Sequence, residues 1–126
     1  MRFSGGFGST LLACLSTLVV MREADATELV MFEQALCEWC ERWDEEIGGA
    51  YAMTDEGKAA PLRRVDIHAE RPEDLTTIRG VVFTPTFVLV ENGAELGRIA
   101  GYPGEDFFWP MLARLLEKQV TPPAPD

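Results

Sequence analysis

The sequence predicts an α/β fold: a central mixed four-stranded sheet flanked by helices, in the order βαβαββα. Three observations predict it. Apolar runs of strand length alternate with segments of helical spacing, the pattern of a layered α/β domain. The first two runs are separated by a helical segment and can therefore pair in parallel. The last two flank Asn92-Gly93, a strong hairpin signal, and pair antiparallel.

The elements follow in order. Residues 28–33 form an apolar run read as a buried strand. From Cys37, the apolar positions Cys40, Trp43, Ile47 and Tyr51 recur at helical spacing, with Glu38 and Glu41 in the first turn, where negative charge suits the helix dipole. Gly48-Gly49 weakens the end of that helix, and residues 53–62 read as a polar loop. Residues 63–67 form the second strand. Pro72 opens a short helix with Leu75 and Ile78 on one face, and Gly80 ends it. Residues 87–90 form a strand, and residues 95–100 return beside it. Residues 101–104 form a loop. The last helix runs to about Lys118, with Phe107/Met111/Leu115 and Phe108/Leu112/Leu116 as its apolar face. Pro110 requires that this helix either start after Asp106 or kink.

The chemistry sits in Cys37-Glu38-Trp39-Cys40. The pair follows a strand and opens a helix. At a helix start, unpaired backbone N–H groups and the positive dipole end favour a thiolate at Cys37, the form that attacks disulfides. Cys40, one turn on, is placed to close a disulfide. Competing readings are poorer. A structural zinc site wants four ligands; the chain offers Cys14, Cys37, Cys40 and His68, and Cys14 lies in a segment expected to be removed, which leaves three. A haem attachment needs His directly after the second cysteine, where Glu41 stands. An inert staple is the bland alternative, and a two-residue gap closes too short a loop to stabilise much.

The first 26 residues read as an export signal. They have a basic Arg2, an apolar stretch over 11–21, and the small-x-small site Ala24-Asp25-Ala26. Lipidation at Cys14 is disfavoured because most of the apolar stretch follows it. The expected organisation is a signal peptide over 1–26, one domain over 27–120 and a proline-rich tail over 121–126. Export implies a compartment where disulfides persist. The net charge of −10 argues against nucleic-acid binding and suits solubility or a basic or neutral docking face.

With that motif, that element order and Thr84-Pro85 ahead of the hairpin, the chain resembles the thioredoxin superfamily over nearly all of 28–118. The resemblance implies a thioredoxin fold, a cis Pro85 whose loop faces the cysteines, and a Thr84 backbone that pairs with bound substrate. More narrowly, several stretches resemble the SoxS-type periplasmic thioredoxins of sulfur-oxidation operons. They are Cys37-Glu38-Trp39-Cys40 with Arg42-Trp43, Ala60-Pro61-Leu62-Arg63-Arg64-Val65-Asp66, the strand opened by Thr84-Pro85-Thr86, and Gly101-Tyr102-Pro103-Gly104 with Phe107-Phe108-Trp109. This implies a thiol–disulfide oxidoreductase that keeps a sulfur-carrier protein's cysteine reduced. It would be fed by a membrane thiol transporter and would need no cofactor or metal.

Two departures from the family pattern matter. The position of the usual buried aspartate is Met31, and Glu33, Glu41 or water stand as substitutes. Glu38-Trp39 replaces the common Gly-Pro. A carboxylate beside Cys37 disfavours its thiolate, which makes the disulfide less oxidising and points to a reductant. Trp39 is expected to form a docking surface with Thr84 and Pro85, while Trp43 and Tyr51 pack in the core. His68 is expected on an exposed loop, and Arg63-Arg64 flank a strand. The alternatives are a general periplasmic reductase or isomerase, a cytochrome-maturation thioredoxin, or, from another class, a peptide-binding module with a static disulfide.

Overall fold

The computed structural model describes residues 27–119, together with positions 2, 5, 6 and 8. Apart from those four positions, the export-signal reading of 1–26, Cys14 and the tail over 121–126 lie outside the described residues. The four strands are β1 (Thr27–Glu33), β2 (Leu62–Asp66), β3 (Thr86–Glu91) and β4 (Ala94–Ala100). They form one sheet in the order β2-β1-β3-β4. β1 pairs parallel with β2, and the other two pairings are antiparallel. This is the expected mixed sheet, and the thioredoxin-like α/β fold.

The central strands β1 and β3 are buried on both faces, which explains their unbroken apolar runs. Leu29, Met31, Phe87, Leu89 and Ile99 point to one side, where Trp43, Ile47, Tyr51, Phe108 and Leu112 meet them. Val30, Phe32, Val88 and Val90 point to the other, under Val65, Leu75 and Ile78. The hairpin turn is as expected: Asn92 and Gly93 both have positive φ (55° and 73°), the backbone that an Asn-Gly pair adopts readily.

Several expectations are corrected. The helix after Cys37 does not run on to Tyr51. It is α1 (Glu38–Trp43), then a π-helical turn over Asp44–Gly48 and a 3₁₀ turn over Tyr51–Met53. The Gly48-Gly49 pair breaks it, and the broken path still sets Trp43, Ile47 and Tyr51 in the core. The loop expected over 53–62 contains α2 (Asp55–Ala59), capped by Thr54, whose Oγ1 accepts from the Gly57 N–H at 3.0 Å. The helix expected after Pro72 is a single 3₁₀ turn, Glu73–Leu75, although Leu75 and Ile78 are both buried as anticipated. Finally, α3 (Glu105–Leu116) starts before Pro110 and carries it inside. The bond that Pro110 cannot donate would reach Asp106, and both residues are exposed, so the gap opens where water is near. Only Phe108, Leu112 and Leu115 of α3 are buried, while Phe107 and Met111 face outward. The second strand begins one residue earlier than expected, at Leu62. Among the described residues no helix is long and apolar enough to cross a membrane.

Candidate active site

β1 delivers the chain to the site. After Glu33, a three-residue loop ends at Leu36, which has φ 60° and is 98% exposed. The turn places Cys37 at the N-cap of α1 with extended backbone (φ −93°, ψ 102°). Its Sγ does the work usually done by a capping oxygen, accepting from the Cys40 N–H at 3.2 Å. Cys37 and Cys40 are joined as a disulfide, with Cα atoms 5.2 Å apart. Both are nearly buried, Cys37 at 8% exposure and Cys40 at 4%. Glu38 is on the surface beside them.

On one side of the pair lies a shallow groove of about 250 Å³ lined by Trp39, Thr84, Ala100, Gly101, Tyr102 and Pro103. Two of the expected docking residues, Trp39 and Thr84, therefore meet although 45 positions separate them in the chain. Trp39 is half exposed, with the Arg42 guanidinium 5.4 Å from its ring centre. The Thr84-Pro85 bond is cis, as the resemblance implied. Pro85 itself is buried, and its carbonyl accepts from the Gly101 N–H at 2.7 Å, which ties the two loops of the groove together. Tyr102 donates to Glu46 at 3.0 Å, and Glu46 pairs with Arg42 at 3.7 Å. Burial first, then the Glu46 carboxylate, pushes the Tyr102 phenol above its ordinary range, so it stays a donor.

A separate polar cleft of about 320 Å³ is lined by Cys37 and Cys40, with Glu33, Gln34, Glu41, Asp44, Arg64 and Asp66 around it. Met31, at the position of the family's buried aspartate, is a core residue with no exposure. Both carboxylates considered as substitutes, Glu33 and Glu41, reach this cleft. Glu33 is 2.7 Å from Arg64, whose guanidinium also grips Asp44.

The chain is similar to a solved structure. The periplasmic thioredoxin SoxS from Paracoccus pantotrophus, in its reduced form, is 53% identical to the chain with a TM-score of 0.69, and the match covers 73% of this chain and 97% of that one. The chain belongs to the SoxS-type thioredoxins. No family model and no curated protein matches it. A thioredoxin fold with a redox-capable Cys37–Cys40 disulfide and this kinship is a thiol–disulfide oxidoreductase.

Other residues of this SoxS-type thioredoxin fall as follows. Trp43 and Tyr51 are core, at 0% and 1% exposure. Arg63 and Arg64 do more than flank a strand: Arg63 pairs with Glu28 and Asp74, and Arg64 lies 5.8 Å over the Trp43 ring as well as in the cleft. His68 is exposed, but it is not idle, since its Nε2 is 2.7 Å from the Gln34 side-chain oxygen. Gln34 had no sequence signal. It belongs to no motif, and its partners are 34 and 50 residues away.

Proposed function

We propose that the protein is a periplasmic reductant that keeps a cysteine on a sulfur-carrier protein in its active, reduced state. The observation that carries the chemistry is Cys37 at the N-cap, its sulfur taking a backbone N–H from the residue it would exchange with. That N–H favours negative charge on Cys37 once the disulfide opens.

In the reduced enzyme the Cys37 thiolate attacks a sulfur of the partner's disulfide. The Cys37–partner bond forms, the partner's S–S bond breaks, and its second sulfur leaves as a thiolate. The Cys40 thiol loses its proton to water or a carboxylate of the polar cleft and attacks Cys37. The mixed disulfide breaks, the Cys37–Cys40 bond re-forms, and two electrons have passed to the partner. Trp39 and Thr84 line the groove in which the partner chain lies, paired with backbone at Thr84, and the buried Pro85 shapes it by holding the Gly101 loop. Glu38 keeps the pair reducing. Electrons return from a membrane thiol transporter. The periplasmic SoxS relative, solved in its reduced form, supports the location and the cycle. The leader-like residues 1–26 support export.

The partner is tested by trapping. Cys40→Ser removes the resolving sulfur, so Cys37 should be held in a mixed disulfide with a carrier protein bearing one reactive cysteine, released by dithiothreitol. Capture of newly exported, unfolded chains instead would mark a folding oxidase, and capture of a cytochrome-maturation protein would move the role there.

A further inference from the structure

We infer that Gln34 and His68 are positioning residues for the substrate groove, acting together as a clamp on the Thr84 side chain. The inference rests on the groove reading above. Three loops meet here. Gln34 lies between β1 and α1, three residues ahead of Cys37. His68 follows β2, and Thr84 precedes β3. The Gln34 amide nitrogen donates to Thr84 Oγ1 at 2.7 Å. The Gln34 amide oxygen is 2.7 Å from His68 Nε2. The His68 loop is itself pinned, because the His68 backbone N–H donates to Asp66 Oδ1 at 2.8 Å. Gln34 also lines the polar cleft with Cys37 and Cys40, so one side chain spans from the sulfurs to the groove.

The direction of the bonds gives the clamp its function. With the amide nitrogen on Thr84, the amide oxygen faces His68 and must accept, so His68 donates from Nε2. Thr84 Oγ1 then accepts from Gln34, and its own hydrogen remains available for an acceptor on a bound chain. Were His68 to accept at Nε2, the amide would turn over and Gln34 would take the Thr84 hydrogen instead. The proton on His68 therefore decides which hydrogen-bonding face Thr84 presents. His68 is the chain's single histidine, so nothing else of its kind confounds the test. A substrate that pairs with backbone at Thr84 gains from a loop already held in place, because the ordering cost is met before binding.

The test is steady-state reduction of a protein disulfide, with KM and kcat read separately. Gln34→Ala and Thr84→Val should each raise KM by roughly 3- to 10-fold, the loss of one net hydrogen bond, while kcat holds. The double variant should be no worse than Thr84→Val alone, because Gln34→Ala breaks only a bond that Thr84→Val has already removed. His68→Ala should raise KM in the same direction, and His68→Gln, which offers an amide donor, should restore it. Additive effects of Gln34→Ala and Thr84→Val would overturn the clamp, as would a fall in kcat without a change in KM. If Thr84→Val and Trp39→Ala raise KM but Gln34→Ala does not, the clamp fails and the groove stands. If none of the three raises KM, the groove reading fails with it.

Discussion

Cys37 caps α1 with its own sulfur, and that one contact separates it from Cys40. A backbone N–H pointing at Sγ favours a thiolate there, whereas Cys40 lies a turn deeper and less exposed. Limiting iodoacetamide should therefore label Cys37 first in the reduced protein, and peptide mapping that finds Cys40 labelled first would reverse the roles. Glu38 acts against the thiolate by like-charge repulsion from the surface. Glu38→Gln should shift the potential to less negative values by roughly 5–20 mV, since an exposed charge contact is worth up to about 1 kcal/mol and 30 mV corresponds to about 1.4 kcal/mol. Equilibration against glutathione reads this shift, and an unchanged or more negative value would remove Glu38 from the account. At this scale the sequence was legible where residues form a motif: the cysteine pair, and the cis bond at Pro85 through the family resemblance. It was silent on Gln34, because that role exists only once three distant loops meet.

Among the elements, α3 shows what periodicity conveys and what it leaves open. The pattern marks two apolar ridges, 107/111 and 108/112, but not which one faces the sheet. Phe108 is the buried choice, its ring meeting Trp43, Phe87, Tyr102 and Trp109 at centroid distances of 5.0–6.1 Å. Phe108→Ala should cost about 3–5 kcal/mol in urea unfolding. Phe107→Ser, on the outward ridge, should stay within about 0.5 kcal/mol. Equal losses would mean that the two ridges share the burial. α2 escaped notice for the opposite reason. Its five residues carry no apolar stripe, so only the Thr54 cap and the acidic first turn could have revealed it. The strands were the most legible elements, because β1 and β3 are buried on both faces and read as unbroken apolar runs. The edges shifted by a residue because pairing, not composition, sets where a strand begins.

For the whole molecule, both of its tyrosines hold their phenols protonated. Burial, aided by Glu56 at Tyr51 and by Glu46 at Tyr102, raises each above the ordinary value of 10. The sign follows from linkage. A phenol whose folded pKa exceeds its unfolded value contributes stability in full below pH 10, and that contribution is lost as pH climbs through the folded value. Tyrosinate absorbance should therefore stay absent near pH 10 and appear only with alkaline unfolding; a titration midpoint near 10 in the folded protein would contradict the packing of Tyr51 against Ala60 and of Tyr102 against Glu46. The same packing sets the lip of the groove, so fold and site share their supports. The parallel β1–β2 pair and the β3–β4 hairpin were legible from the order of elements, whereas the antiparallel β1–β3 pairing that joins them was not. Nor was the polar cleft that the cysteines line, because Glu33, Asp44 and Arg64 come from three separate elements.

The central claim is that Cys37 and Cys40 form an exchanging pair poised to give electrons away. The reduction potential of the purified protein, set by equilibration with glutathione and dithiothreitol buffers, tests it most directly. The account predicts a reversible two-electron transition near the about −270 mV of a reducing thioredoxin. A value near the about −120 mV of a strong periplasmic oxidant, or a disulfide that does not exchange at all, would contradict it.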